Sequence, residues 1–169
     1  MLTIDYCRLF IAYNGWMNDK LYAAADALGD AARKADRGAY FKSIHGTFNH
    51  LLYVDQAWLN RFTGRLLAGL NPDAGVYDDY ARLRARRAEL DGELAAWVET
   101  LTPDWLARDF EYHSLAYQRS FVRPAWTLVA HLFNHQTHHR GQVTTLLSQT
   151  GVDPGITDLP MTPLFGESL

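Results

Sequence analysis

Large apolar residues recur three and four positions apart through four long stretches, the spacing that gathers side chains on one face of a helix. Tyr6, Leu9, Phe10, Tyr13, Trp16, Met17, Leu21 and Leu28 predict a first helix from about Ile4 to Leu28, with Gly29-Asp30 as its stop. The polar stretch through Asp36-Arg37-Gly38 reads as a connection. Ile44, Thr47, Leu51, Val54, Trp58 and Phe62 form the buried stripe of a second helix, from about Tyr40 to Phe62. Gly64 through Gly75, with Asn71-Pro72-Asp73, is rich in turn residues and reads as a loop. Leu83, Leu90, Leu94, Trp97, Val98 and Leu101 then predict a third helix from about Tyr77 to Leu101. Thr102-Pro103-Asp104 ends it and starts a short helical turn, with Thr102 as cap and Pro103 at the first position.

The helical period lapses between Arg108 and Arg123. Asp109-Phe110-Glu111-Tyr112-His113 and Tyr117-Gln118-Arg119-Ser120-Phe121 alternate instead, which predicts a small irregular hairpin. Pro124 suits the first position of a last helix that runs to about Thr150, where Gly151 stops it. The tail, with Pro154, Gly155, Pro160 and Pro163, is expected to be extended and to pack over the helices. The fold expected is all-α, a four-helix bundle with long crossover connections and the hairpin before the last helix.

Bulk properties narrow the function classes. A chain of 169 residues suits one domain, spanning 1–169, that can bury a core without disulfide or metal staples. A net charge of -3 argues against a nucleic-acid partner, because phosphate neutralisation needs a concentrated basic face. Arg82, Arg84, Arg86 and Arg87 cluster, but their spacing spreads them around a helix as a solvated face. Cys7 is the single cysteine, so no internal disulfide and no cysteine-rich zinc site can form, and it reads as a small buried residue. No basic segment leads into an apolar run at the N-terminus, and no apolar stretch approaches the ~20 residues that cross a bilayer. A cytoplasmic protein without a membrane partner is the simplest expectation.

Four of the seven histidines lie on the last helix, at 131, 135, 138 and 139. Placed at 100° per residue, Leu128, Leu132, Val143, Leu146 and Leu147 make its apolar side. His135 and His139 border that side one turn apart, and two imidazoles so spaced can reach one transition-metal ion. His131 and His138 fall on the more polar flank, and His131 with His135 is a competing pair at the same spacing. On the second helix His50 sits at the edge of the stripe, while His45 points nearly the opposite way. His50 is therefore the best third ligand if helices two and four face each other. The bland alternative is three ordinary histidines, hydrogen-bonded or partly exposed. Glu-x-x-His is absent, which disfavours a ferritin-like di-iron site. Gln136 stands where a His-Glu-x-x-His metalloprotease carries its general base.

These residues also carry a resemblance. Tyr13-Asn14-Gly15-Trp16-Met17-Asn18, then Ser43 through His50 running on to Asp55 and Trp58, then Asn134-His135-Gln136-Thr137-His138-His139-Arg140-Gly141-Gln142 and Gly151-Val152-Asp153-Pro154, resemble the DinB family of metal-binding four-helix bundles. The resemblance runs nearly end to end. It implies an all-α bundle, a divalent metal (zinc or nickel), frequent homodimers, and a metal held by the residues matching His50, His135 and His139. It further implies a metal-dependent enzyme with a small-molecule substrate. Related members act as thiol transferases or thiol-dependent isomerases, and many have no assigned reaction.

Three imidazoles leave a coordination position open, as in catalytic rather than structural sites. A low-molecular-weight thiol bound there points to S-transfer onto an electrophile; an activated water points to hydrolysis of an ester or amide. A non-catalytic ligand-binding protein is the third class. Asp55 is either the partner of a ligand histidine or a surface or dimer-face carboxylate. Asn14 and Asn18 either line the pocket or make helix-to-helix hydrogen bonds, and His131 and His138 border it. Trp16, Trp58, Trp97 and Trp126 read as core or interface aromatics.

Overall fold

Four long helices form in the computed structural model where the apolar stripes place them, and the structure describes residues 2–65, 77–114 and 117–166. Helix α1 spans Ile4–Asp26, α3 Ile44–Thr63, α4 Tyr80–Val98 and α6 Ala125–Ser148, with short helices α2 (Asp30–Lys34) and α5 (Pro103–Ala107) in the connections. Strands β1 (Asp109–Ser114) and β2 (Arg119–Pro124) form an antiparallel hairpin in continuous register from Asp109↔Pro124 to Ser114↔Arg119. The hairpin is thus regular rather than irregular. Most of the Gly64–Gly75 loop lies outside the described residues.

Four of the helices, α1, α3, α4 and α5, start where a side chain satisfies a free N–H group. Thr3 accepts from Tyr6 N, Asp79 from Arg82 N, and Thr102 from Trp105 N with Pro103 following. Helix α3 begins at Ile44, not Tyr40. Lys42 has φ 67, Ala39 pairs with Lys42 as a bridge, and Ser43 Oγ accepts from Gly46 N at 3.0 Å. A left-handed residue cannot continue a helix, so Tyr40 and Phe41 fold back as a loop. Helix α6 ends as expected, with Gly151 at φ 80 and Val152 N bonded to Leu147 O.

The principal helix contacts are α1 with α4 and α6, and α3 with α4 and α6. The long helices therefore stand at the corners of a square, with α1 diagonal to α3 and α4 diagonal to α6. Both the α1–α3 and the α4–α6 connections cross that diagonal, which is the four-helix bundle with long crossovers. His50 meets His139 while Trp58 meets His131, so α3 and α6 run antiparallel. The core holds Leu21, Tyr22, Phe48, Leu59, Leu83, Leu90, Leu94, Leu132 and Phe133, each contributing about 1.5–3 kcal/mol by burial. Burial also pushes the Cys7 thiol up to about 11, as befits an inert core residue. The tail packs on α1, where Tyr13 Oη donates to Thr157 O at 2.7 Å and Lys20 donates to Ile156 O.

The core also contains a polar seam. Arg87, expected on a solvated face, is only 3% exposed and pairs with Asp55 at 2.8 Å and Asp91 at 2.7 Å. The expectation fails because Arg87 falls in the same helical row as Leu83, Leu90 and Leu94. Asp55 accepts from Gln136 Nε2 at 3.0 Å, Asn14 donates to Gln136 Oε1, and Asn18 Nδ2 donates to Asp91. Burial pushes the Asp55 carboxyl above its ordinary range, against the pull of Arg87. Asn14 and Asn18 thus make helix-to-helix bonds, from α1 to α6 and from α1 to α4.

Candidate metal centre

His50 projects from the middle of α3, and His135 and His139 from consecutive turns of α6. Antiparallel packing of the two helices brings the three rings together. His50 Nε2 lies 3.2 Å from His135 Nε2 and 3.2 Å from His139 Nε2, and all three residues offer ligand atoms within 4.8 Å of one another. His131, the competitor, is not in this cluster: its exposed ring leans edge-on against Trp58 at 5.4 Å. His138 is also exposed and touches His139 with its ring at 4.8 Å. Both therefore border the triad, one at each end. His45, read as pointing away from the stripe, is buried with Nε2 2.6 Å from Tyr77 O.

The electrostatics suit a cation. Burial pulls His50 down to about 4 and His135 down to about 3, with the charge of His139 adding to both; burial also lowers His139. All three rings are thus neutral near pH 7. His139 Nδ1 lies 2.7 Å from Gln142 Oε1, an oxygen that can only accept, so Nδ1 carries the proton and Nε2 keeps its lone pair. Nitrogens bound tetrahedrally to zinc at ~2.1 Å stand ~3.4 Å apart. Three neutral nitrogens spaced 3.2 Å in the two closest pairs match that spacing, whereas without a cation their lone pairs would oppose one another. The donor set fits a divalent ion.

Two residues that sequence reasoning passed over hold the rings. Phe41 stacks on His50 at 3.7 Å and 17° and meets His139 edge-on at 5.4 Å. Its backbone passes so close to α3 that a Cβ on Gly46 would lie 2.2 Å from Phe41 O, so position 46 requires glycine. The signal in the sequence was Ser43, a helix cap that excludes Phe41 from the helix. Gln142 lies one turn after His138 and His139, its oxygen toward His139 and its Nε2 3.4 Å from His138 Nε2. Asp55, at 1% exposure, is no surface carboxylate; its bonds run to Arg87 and Gln136 rather than to a histidine. Gln136 is buried in that seam and faces away from the site a general base would occupy.

Two separate pockets flank the triad, one next to each end. On the His139 side lies a pocket of about 390 Å³ lined by Arg37, Tyr40, His138, Gln142 and Gln149. On the His135 side lies a second, of about 230 Å³, between Trp58, Arg61, Tyr112, Leu128 and His131.

Comparison with known proteins agrees with this architecture. The model of the DinB family matches residues 1–165. Protein DinB of Bacillus subtilis (strain 168) is 22% identical over 162 residues, covering 91% of this chain and 91% of its own. Among solved structures, YfiT from Bacillus subtilis superposes with a TM-score of 0.65 at 17% identity, over 90% of this chain and 92% of that one. YfiT is described as a probable metal-dependent hydrolase with an unusual four-helix bundle topology.

Proposed function

Since the chain belongs to the DinB family and gathers three neutral imidazoles at one point, we propose that it is a divalent-metal-dependent enzyme acting on a small molecule, with hydrolysis as its reaction. The observation that carries this reading is the convergence of His50, His135 and His139, the first two only partly buried. The description of YfiT as a probable metal-dependent hydrolase supports it. His50, His135 and His139 would hold the ion, and imidazole donors suit zinc or nickel. An ion bound there supplies Lewis-acid polarisation of a carbonyl and lowers the pKa of a coordinated water or thiol.

The chain's own residues do the rest. Phe41 and Gln142 fix the planes of His50 and His139, keeping their Nε2 lone pairs aimed at a common point. The buried seam of Asp55, Arg87 and Gln136 locks α3, α4 and α6 together behind the rings. Phe41, against His50 and His139, shields one side of those rings from water.

Thiol transfer is the second reading, and one observation favours it. Among the described residues no carboxylate bonds to the three rings to shuttle protons, and a thiolate nucleophile needs none. The test loads the protein with zinc or nickel and offers activated esters and amides, then electrophiles together with a low-molecular-weight thiol. Hydrolysis that requires metal, and that vanishes in His50→Ala, His135→Ala and His139→Ala with helicity retained, is expected. Turnover only with the thiol would replace hydrolysis by S-transfer. Turnover that survives His50→Ala would refute both. A homodimer in the cytoplasm is part of the same proposal, and sedimentation addresses the dimer.

A further inference from the structure

The small pocket beyond His135 contains an unsatisfied cation. Among the described residues, six of the thirteen arginines pair with acids, as Arg8 does with Glu99, Arg84 with Asp26 and Arg86 with Glu93. Arg61 does not. Its guanidinium lies over the Trp58 ring, 4.9 Å from the centroid, and its Nε is shielded from solvent with no hydrogen-bond partner. Among the described residues no carboxylate reaches it. Burial pulls it below its ordinary range, and the titratable groups that act on it are the phenols of Tyr53 and Tyr112, which are neutral near pH 7. A guanidinium remains charged even so, and a partly buried unpaired charge is costly. The geometry is that of a receptor for an anion.

The rest of the pocket defines what the anion is attached to. Trp58 and Tyr112 meet at 5.3 Å, His131 closes the wall edge-on to Trp58, and Leu128 adds an aliphatic face. A cavity of about 230 Å³ is smaller than the ~300–1,000 Å³ of pockets for drug-sized ligands, so it suits one ring or a short apolar body. One helical turn, ~6 Å of axis, carries the wall from His131 to His135 and hence to the triad. The guanidinium presents a planar fork, which matches a carboxylate through two hydrogen bonds.

We propose that this pocket recognises the substrate, taking a small aromatic or apolar carboxylate with the carboxylate on Arg61 and the body against Trp58, Tyr112 and Leu128. Its role as a substrate pocket rests on the metal-enzyme reading above; its ligand chemistry does not. The scissile bond then lies on the side of the molecule facing His135, at the opposite end from the carboxylate. Arg61 is a specificity-determining residue, distinct from the groups that hold the metal.

The test uses the full chain free of metal, so that a carboxylate has no ion to bind. Titration calorimetry compares 3-phenylpropionate with 3-phenylpropanamide, which differ only in charge and in hydrogen-bonding pattern at one end. The acid is expected to bind about 10-fold more tightly than the amide. Arg61→Met should weaken the acid by about the same factor and leave the amide unchanged, Arg61→Lys should restore part of the loss, and His135→Ala should change neither. Equal binding of acid and amide would overturn the proposal, as would no binding at millimolar concentration or loss of binding in His135→Ala. Wild-type selectivity decides the question even if Arg61→Met fails to fold. Metal-dependent turnover with no selectivity for the carboxylate keeps the enzyme and removes this pocket from it. Carboxylate binding without turnover does the reverse.

Discussion

Substituting Gly46 by alanine tests how the loop before α3 holds the metal centre. The added Cβ would meet Phe41 O at 2.2 Å, whereas ordinary contact begins near 3.4 Å. The Phe41 carbonyl must therefore retreat by about 1 Å, and it is backbone rather than a yielding side-chain tip. The ring on the same residue stacks on His50 at 3.7 Å, so its retreat frees that imidazole to turn. Overpacking of this kind costs about 1–3 kcal/mol, offset by the ~1 kcal/mol that alanine gains over glycine within a helix. The net loss is about 0–2 kcal/mol, or up to about 8 °C in melting temperature for a chain of this size. Loss of a partner that orients a ligand typically weakens metal binding by about 10–100-fold. Competition of zinc against a chromophoric chelator, with thermal melts of the metal-free protein, measures both effects. Gly15→Ala is the control: it lies inside α1, its Cβ would meet nothing within 4 Å, and it should stabilise by about 0.5–1 kcal/mol without touching metal affinity. Zinc affinity of Gly46→Ala within twofold of wild type, with an unchanged melt, would refute this account of Phe41.

Two further outcomes follow from the site's surroundings. Gln142→Leu removes the acceptor that fixes the His139 tautomer and should weaken zinc about 10-fold, while Gln142→Glu retains an acceptor and should not; equal affinity in Gln142→Leu and wild type would exclude this role for Gln142. Arg87→Met leaves Asp55 and Asp91 buried without their shared cation, which should cost about 3–5 kcal/mol at pH 7. In that variant the Asp55 carboxyl, already raised by burial, rises further. A group whose folded pKa exceeds its unfolded value stabilises the fold at low pH and loses that contribution as pH rises through the folded pKa. The gap between wild type and Arg87→Met in urea denaturation should therefore widen from pH 4.5 to pH 7, and a gap independent of pH would contradict the pairing.

The four long helices and their order could be read from the apolar period alone, because each helix must bury one stripe whatever its neighbours are. The meeting of three histidines could be read for the same reason: His50, His135 and His139 lie at stripe borders, so helices that bury their stripes bring the three rings to one seam. Caps such as Thr102 before Pro103 and the stop at Gly151 are also local, decided by backbone groups within a few residues. The polar members of the core were not legible in that way. Arg87 keeps the row of Leu83 and Leu90, yet an arginine in a row is buried only where acids meet it; Asp91 lies one turn on along α4 itself, but Asp55 has to come from α3. Asp55 was undecided between a histidine and the surface for the same reason, since its partners lie on helices distant in sequence.

Helical period and capping determined the elements, their stripes and the places of the three histidines that converge, since those depend on spacing along one chain. Only the tertiary structure decided that α1 lies diagonal to α3, that Phe41 leaves the helix to stack on His50, and that Arg61 stands unpaired over Trp58. Those outcomes depend on which faces meet and on the left-handed turn at Lys42, and a pairing between distant segments leaves no period in either of them.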